Sequence, residues 1–146
     1  MPMIYLDVSF VCSLHMRDAN TAAALWLVQR AHEQFVISAL VEVEAVNAFS
    51  LRVFRREWTH LNMHKAVRDL DADIENGLLL PMLLPQEAFG RTKTLALTLT
   101  PSIGVRSADL LHVAAAMVLG ANTLYTFDQR QHKAAKSVGL KVNPLE

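Results

Sequence analysis

Apolar positions along the chain fall into two kinds of segment: short unbroken runs, and longer stretches with helical spacing. MIYL (3–6) is an unbroken run that stops at Asp7, which predicts a buried strand. VSFVCSLHM (8–16) follows as a short helix. DANTAAALWLVQRAHE (18–33) predicts a clearer one, because Ala and Leu favour it and Asp18 or Asn20 can cap it. FVIS (35–38) is a second strand. ALVEVEAVNAFSLRVFRR (39–56) is a long helix whose basic end suits the helix dipole.

HLNMHKAVRDLDADIENG (60–77) mixes charged and apolar residues at helical spacing and stops at Gly77. LLLPML (78–83) is a third strand, and Pro81 assigns it to a sheet edge. PQEAFGRTKTLALTLT (85–100) predicts a helix in spite of Gly90 and its threonines. SADLLHVAAAMVLG (107–120) is a helix with Ser107 as its N-cap and Gly120 as its stop. TLYTF (123–127) is a strand ending at Asp128; QRQHKAAKSVG (129–139) is a helix and LKV (140–142) a last short strand. Strands that alternate with helices predict a parallel sheet covered on both faces. No linker, repeat or low-complexity segment divides the chain, so residues 1–146 form one domain.

Composition narrows the class. With 146 residues, 52% hydrophobic and 19% charged, the chain can bury a real core and is not disordered. Lys+Arg and Asp+Glu balance at 14 each, so net charge signals no nucleic-acid partner, although a local basic patch is compatible with it. The single cysteine, Cys12, permits no internal disulfide and fits a reducing compartment. MPMIYLDVSF has no basic leader, and no apolar run approaches the length of a membrane span, so a cytoplasmic protein without a membrane partner is expected.

The chemistry lies in the acids. Asp7 and Asp128 each directly follow a strand, and the carboxyl ends of parallel strands share the edge where ligands bind. Asp109 opens a helix that is otherwise apolar. The long helix offers both Glu42 and Glu44 on apolar stripes, and spacing does not choose between them. Two carboxylates about 4 Å apart repel by roughly 4 kcal/mol at an effective dielectric near 20. A cluster of them must therefore take up protons or a cation. Oxygen ligands suit Mg²⁺ or Mn²⁺, and such an ion at an open cleft suits phosphodiester chemistry. Each acid also has a plain explanation: Asp7, Asp109 and Asp128 all stand where a helix cap or the helix dipole favours a carboxylate. What weakens that account is the need to invoke it three times. Ser9 and Thr126 each lie two residues from an acid and can orient it. His112, within an apolar helix, is assigned a structural role; His60 and His64 are assigned to the surface, and Trp26 and Trp58 to packing.

Three segments carry a resemblance: MIYLDVSF, ISALVEVEAVNAF and RSADLLHVAAAMVLGANTLYTFDQR. In them the chain resembles the PIN-domain family, in particular the VapC-like ribonuclease toxins of bacterial toxin–antitoxin pairs. The resemblance covers essentially the full length and implies a three-layer α/β/α sandwich around a central, mainly parallel sheet. Matched residue by residue, the family's acids fall on Asp7, Glu44, Asp109 and Asp128. Glu44 is preferred to Glu42 because Asn47 and Ala48 follow it at the family's spacing. Some relatives carry a further acid after the last of these; here Gln129, Arg130 and Gln131 follow. The resemblance implies a Mg²⁺- or Mn²⁺-dependent endoribonuclease that cleaves RNA through a metal-activated water. Asp7 and Asp109 would be the main ligands, and Glu44 and Asp128 would complete the pocket directly or through water. Ser9 and Thr126 would support them, and Arg106 and Arg130 would hold the RNA backbone. A homodimer and a cognate antitoxin are also implied.

Two other classes compete. A non-catalytic interaction module would keep the fold and the acidic pocket without cutting RNA. A phosphoacceptor signalling domain expects paired acids at the first strand and a lysine after a late one; IYLDVSF and TFDQR supply neither.

Overall fold

A computed structural model describes residues 2–145. The elements in chain order are β1 (Met3–Leu6), α1 (Val8–His15), α2 (Thr21–Arg30), β2 (Gln34–Ser38), α3 (Ala39–Phe54) and α4 (His60–Glu75). They continue with β3 (Leu79–Met82), α5 (Glu87–Ile103), α6 (Ser107–Val118), β4 (Thr123–Tyr125), α7 (Gln129–Ser137) and β5 (Lys141–Val142). The sheet is parallel throughout, with strand order β3-β2-β1-β4-β5. Helices α1–α4 pack together on one side and α5–α7 on the other, which makes the three-layer sandwich.

The central strands explain the layering. Ile4, Tyr5 and Leu6 of β1 and Phe35, Val36 and Ile37 of β2 are all buried. Unbroken apolar strands need cover on both faces, and two helical layers supply it. Pro81 lies on β3, at one edge of the sheet, where its missing N–H costs no interior ladder bond. In α6, Val113, Ala114, Ala115 and Ala116 are fully buried, and their small side chains let that helix lie close to its neighbours.

Topology fixes where a site can form. From β1 the chain builds outward to β2 and β3, then crosses back to lay β4 on the other side of β1. The carboxyl ends of β1 and β4 therefore flank a switch point, where the loops diverge and leave a crevice. The Asp7 N–H donates to the Tyr125 carbonyl (3.1 Å), so Asp7 stands one step past the β1–β4 ladder.

Several boundaries differ from expectation. The N-cap of α6 is Arg106, and Ser107 is already its first helical residue, so Ser107 does not cap it. At α2, Asn20 takes the N-cap position without a side-chain cap bond. Asp18, just outside, accepts from the Asn20 N–H (2.8 Å) and the Thr21 hydroxyl (3.3 Å) instead. Helix α5 runs on to Ile103 and carries Pro101 in its last turn, then stops at Gly104, whose φ of +70° suits glycine. Trp58 packs in a tilted stack on Phe49, but Trp26 is 53% exposed and lies under the Arg30 guanidinium.

Two substitutions should separate core from surface contributions in urea denaturation. Leu124→Ala, at the fully buried centre of β4, should cost about 2–5 kcal/mol. Thr59→Ala, which removes the capping box that Thr59 and Asn62 form at the start of α4, should cost about 1 kcal/mol. Equal losses would contradict this placement of the core.

Candidate functional site

Asp7 is 1% exposed and charged, so its oxygens need partners. Oδ2 accepts from the Ser9 N–H (3.0 Å), the Ser9 hydroxyl (2.8 Å) and the Thr126 hydroxyl (3.3 Å). Oδ1 accepts from the Gln131 side-chain amide (3.1 Å). The Ser9 N–H bond is the N-cap of α1, so the plain capping role is realised at Asp7. It uses one oxygen only.

Asp128 repeats the pattern as the N-cap of α7, with Oδ1 accepting from the Gln131 N–H (2.8 Å). Asp-x-x-Gln at a helix start is a capping-box spacing, in which the Gln side chain would reach back to the cap N–H. Here the Thr126 hydroxyl takes the Asp128 N–H instead (3.0 Å). The Gln131 side chain is thereby free to turn inward. Its Nε2 donates to Asp7 Oδ1 and to the Asp109 carbonyl (3.0 Å), while its Oε1 is buried without a partner. An unpaired buried acceptor costs about 1–3 kcal/mol.

Asp109 occupies the first turn of α6 and lines an open cleft of about 300 Å³ with Arg106, Asp128, Gln129 and Arg130. Burial pushes its carboxyl pKa up, and the charges of Asp7 and Asp128 add to that; Arg106 opposes them. The Arg106 guanidinium, itself 79% exposed, stands 3.4 Å from Asp109 Oδ2. Arg130 is exposed at the rim and donates to the Gly104 carbonyl at 3.4 Å.

Glu44 stands apart from this trio. Its Oε1 accepts from His112 Nε2 at 2.5 Å, a contact between α3 of one layer and α6 of the other. His112 Nδ1 lies 2.7 Å from the Tyr5 hydroxyl, which donates to Ser38 Oγ (2.9 Å). Burial pulls the His112 pKa down, but the Glu44 hydrogen bond and the charges of Asp7, Glu44 and Asp109 outweigh it and hold the value up. Glu42 instead faces an apolar surface with Val43 and Val46. His112, assigned a structural role, is the hydrogen-bond partner of Glu44, and its three-residue spacing from Asp109 gave no hint of that. Gln131 was noted only as standing where some relatives carry an acid, and nothing in its spacing from Asp128 indicates a contact with Asp7.

Among the described residues, no three His, Cys, Asp or Glu side chains stand close enough together to hold a metal ion between them. The donor set nonetheless suits a hard cation. It is all oxygen, it lies at an open cleft, and the charges of Asp7 and Asp128 raise the Asp109 pKa. Water would fill the remaining positions.

The fold and the site define a class: an α/β sandwich with acids gathered at the switch point of a parallel sheet. The PIN domain family profile matches residues 4–137, and the chain belongs to the PIN-domain family. It is 28% identical to Ribonuclease VapC46 of Mycobacterium tuberculosis, over 97% of both chains. Among solved structures it resembles M. tuberculosis VapC20, a sarcin-ricin loop cleaving toxin, with TM-score 0.69 and 18% identity over 97% of this chain and 99% of that one. It also resembles VapBC2 of Rickettsia felis bound to a promoter DNA fragment, with TM-score 0.67 and 16% identity over 97% of each chain.

A raised carboxyl pKa has a definite sign. The folded state holds the Asp109 proton more tightly than the unfolded state, so stability is present at low pH and is lost as pH rises through the folded value. In chelator at neutral pH, Asp109→Asn should therefore raise Tm and flatten its decline through mildly acidic pH. A lower Tm would mean that this carboxylate is a net stabilising group.

Proposed function

We propose that the chain is a divalent-cation-dependent endoribonuclease and the toxin of a toxin–antitoxin pair. The observation that carries this is the placement of Asp109 and Asp128 on one open cleft, with Asp7 buried beside it and tied to Asp109 through Gln131; burial raises the Asp109 pKa, and the charges of Asp7 and Asp128 add to the rise. Asp7 and Asp109 would hold Mg²⁺ or Mn²⁺, with Glu44 and Asp128 contributing directly or through water. Such an ion supplies two things: a lower pKa for a bound water, and stabilisation of charge developing on phosphate.

The chain's own residues do the rest. Three donors occupy Asp7 Oδ2, so Oδ1 is the oxygen it can offer. Ser9 and Thr126 hold that carboxylate in place. His112 fixes Glu44 through Oε1 and leaves its second oxygen free. Arg106 and Arg130 at the rim would take the RNA phosphates, as their exposure and position in the cleft allow.

The VapBC2 relative supports an antitoxin partner, which would close the cleft with a cation such as an arginine. A homodimer belongs to the same reading. Exposed Phe54, Leu61, Leu83 and Leu97 offer apolar surface for protein partners. A cytoplasmic location belongs to that reading too, in keeping with a single cysteine, Cys12, which permits no internal disulfide. No described helix is long and apolar enough to cross a membrane. The rival interaction module draws on one observation: among the described residues, no three His, Cys, Asp or Glu side chains stand close enough together to hold a metal ion.

Incubated with a broad RNA panel, the wild type should cleave with Mg²⁺ or Mn²⁺ and stop in excess chelator. Asp7→Asn should slow cleavage on the order of 10²-fold or more. Undiminished activity in Asp7→Asn or in chelator removes the mechanism, and a wild type inert on every RNA favours the interaction module. In binding assays with single-stranded RNA, Arg130→Ala should weaken affinity and make the log K against log salt slope shallower by about 0.7. An unchanged slope places the phosphate contact elsewhere.

A further inference from the structure

We infer that Gln131 is a positioning residue of the acidic site, fixing Asp7 and Asp109 relative to each other so that they can share one cation. The inference rests on the cation reading above. Gln131 is fully buried, and its single NH₂ group serves both acids' segments: Asp7 Oδ1 at 3.1 Å and the Asp109 carbonyl at 3.0 Å. It thus ties the end of β1 to the first turn of α6, two elements far apart in sequence.

The orientation of the amide is not free. Turning it over would set Oε1 against a carboxylate oxygen and a carbonyl oxygen, which are both acceptors. The amide instead keeps Nε2 inward and leaves Oε1 buried and unpaired. A methionine of similar volume would fill the same space with no unpaired acceptor. The amide is therefore explained by what its NH₂ group holds, not by packing.

The consequence for Asp7 is specific. With Oδ2 occupied by three donors, the remaining acceptor capacity lies on Oδ1, and Gln131 uses part of it. One direction on that oxygen stays open, and Gln131 sets which. An acid at this position would bring another negative charge against Asp7; the neutral amide orients the carboxylate without adding to the repulsion.

The test measures Mn²⁺ binding by isothermal titration calorimetry, with urea denaturation of the same proteins in chelator. Gln131→Met should weaken the Mn²⁺ Kd by about tenfold or more, the scale on which partners of metal ligands act. A Kd equal to the wild type's, whatever happens to the urea midpoint, assigns Gln131 a structural role and overturns the inference. A wild type that binds no Mn²⁺ overturns the cation reading, and the inference with it, so the two failures are distinct. If Gln131→Met does not fold, Gln131→Asn keeps the amide but withdraws its NH₂ group by one methylene from both acceptors. Saturating Mn²⁺ should then raise its Tm by less than it raises the wild type's. Equal Mn²⁺-induced shifts overturn the inference.

Discussion

The site depends on satisfying one buried carboxyl group. Asp7 sits at the end of the central strand, almost without access to water, and hydrogen bonds from the chain take the place of that water. The donors come from α1, from the turn after β4 and from α7. Each of those segments is held in turn. Ser9 Oγ accepts from the Phe127 N–H, the Thr126 N–H donates to the Asn143 side chain, and Gln131 reaches the Asp109 main chain. Satisfying one charge thus fixes the relative placement of β1, β4, α6 and α7, and half-satisfying it would be worse than having no charge there.

The acids are supported in different ways. Around Asp7, neutral donors absorb the charge and leave one oxygen with open capacity. Around Glu44, a buried imidazole does so and relays to Tyr5 and Ser38. Asp109 has neither kind of support beyond an exposed arginine, and it is the acid whose pKa rises. It is the group for which a cation would matter most, because among the described residues only the exposed Arg106 pairs with it.

Much of the fold was legible in the sequence because its signals are local. Apolar runs marked β1 and β2, Pro81 marked an edge, and alternation of strands with helices marked a parallel sheet. The positions of Asp7, Asp109 and Asp128 were legible for the same reason, since each follows a strand or opens a helix; Glu44, inside α3, was chosen over Glu42 only through the family resemblance. Capping was less so: at Ser107 and Asn20 the right residue type sits beside the helix start, but backbone geometry puts the function elsewhere. His112 and Gln131 were not legible. Their partners lie on other elements, and no spacing within one helix encodes a contact made across layers. At Gln131 the local signal even misdirects, because Thr126 takes the bond that capping would have given it.

The order of the strands also says when the site can exist. Asp7 is made early and Asp128 late, and they meet only when β4 docks beside β1. A chain made only as far as β3 has β1, β2 and β3 available to pair, but no completed shell around Asp7. The architecture therefore withholds the acidic centre until β4 and α7 have been made, a built-in delay that needs no second protein.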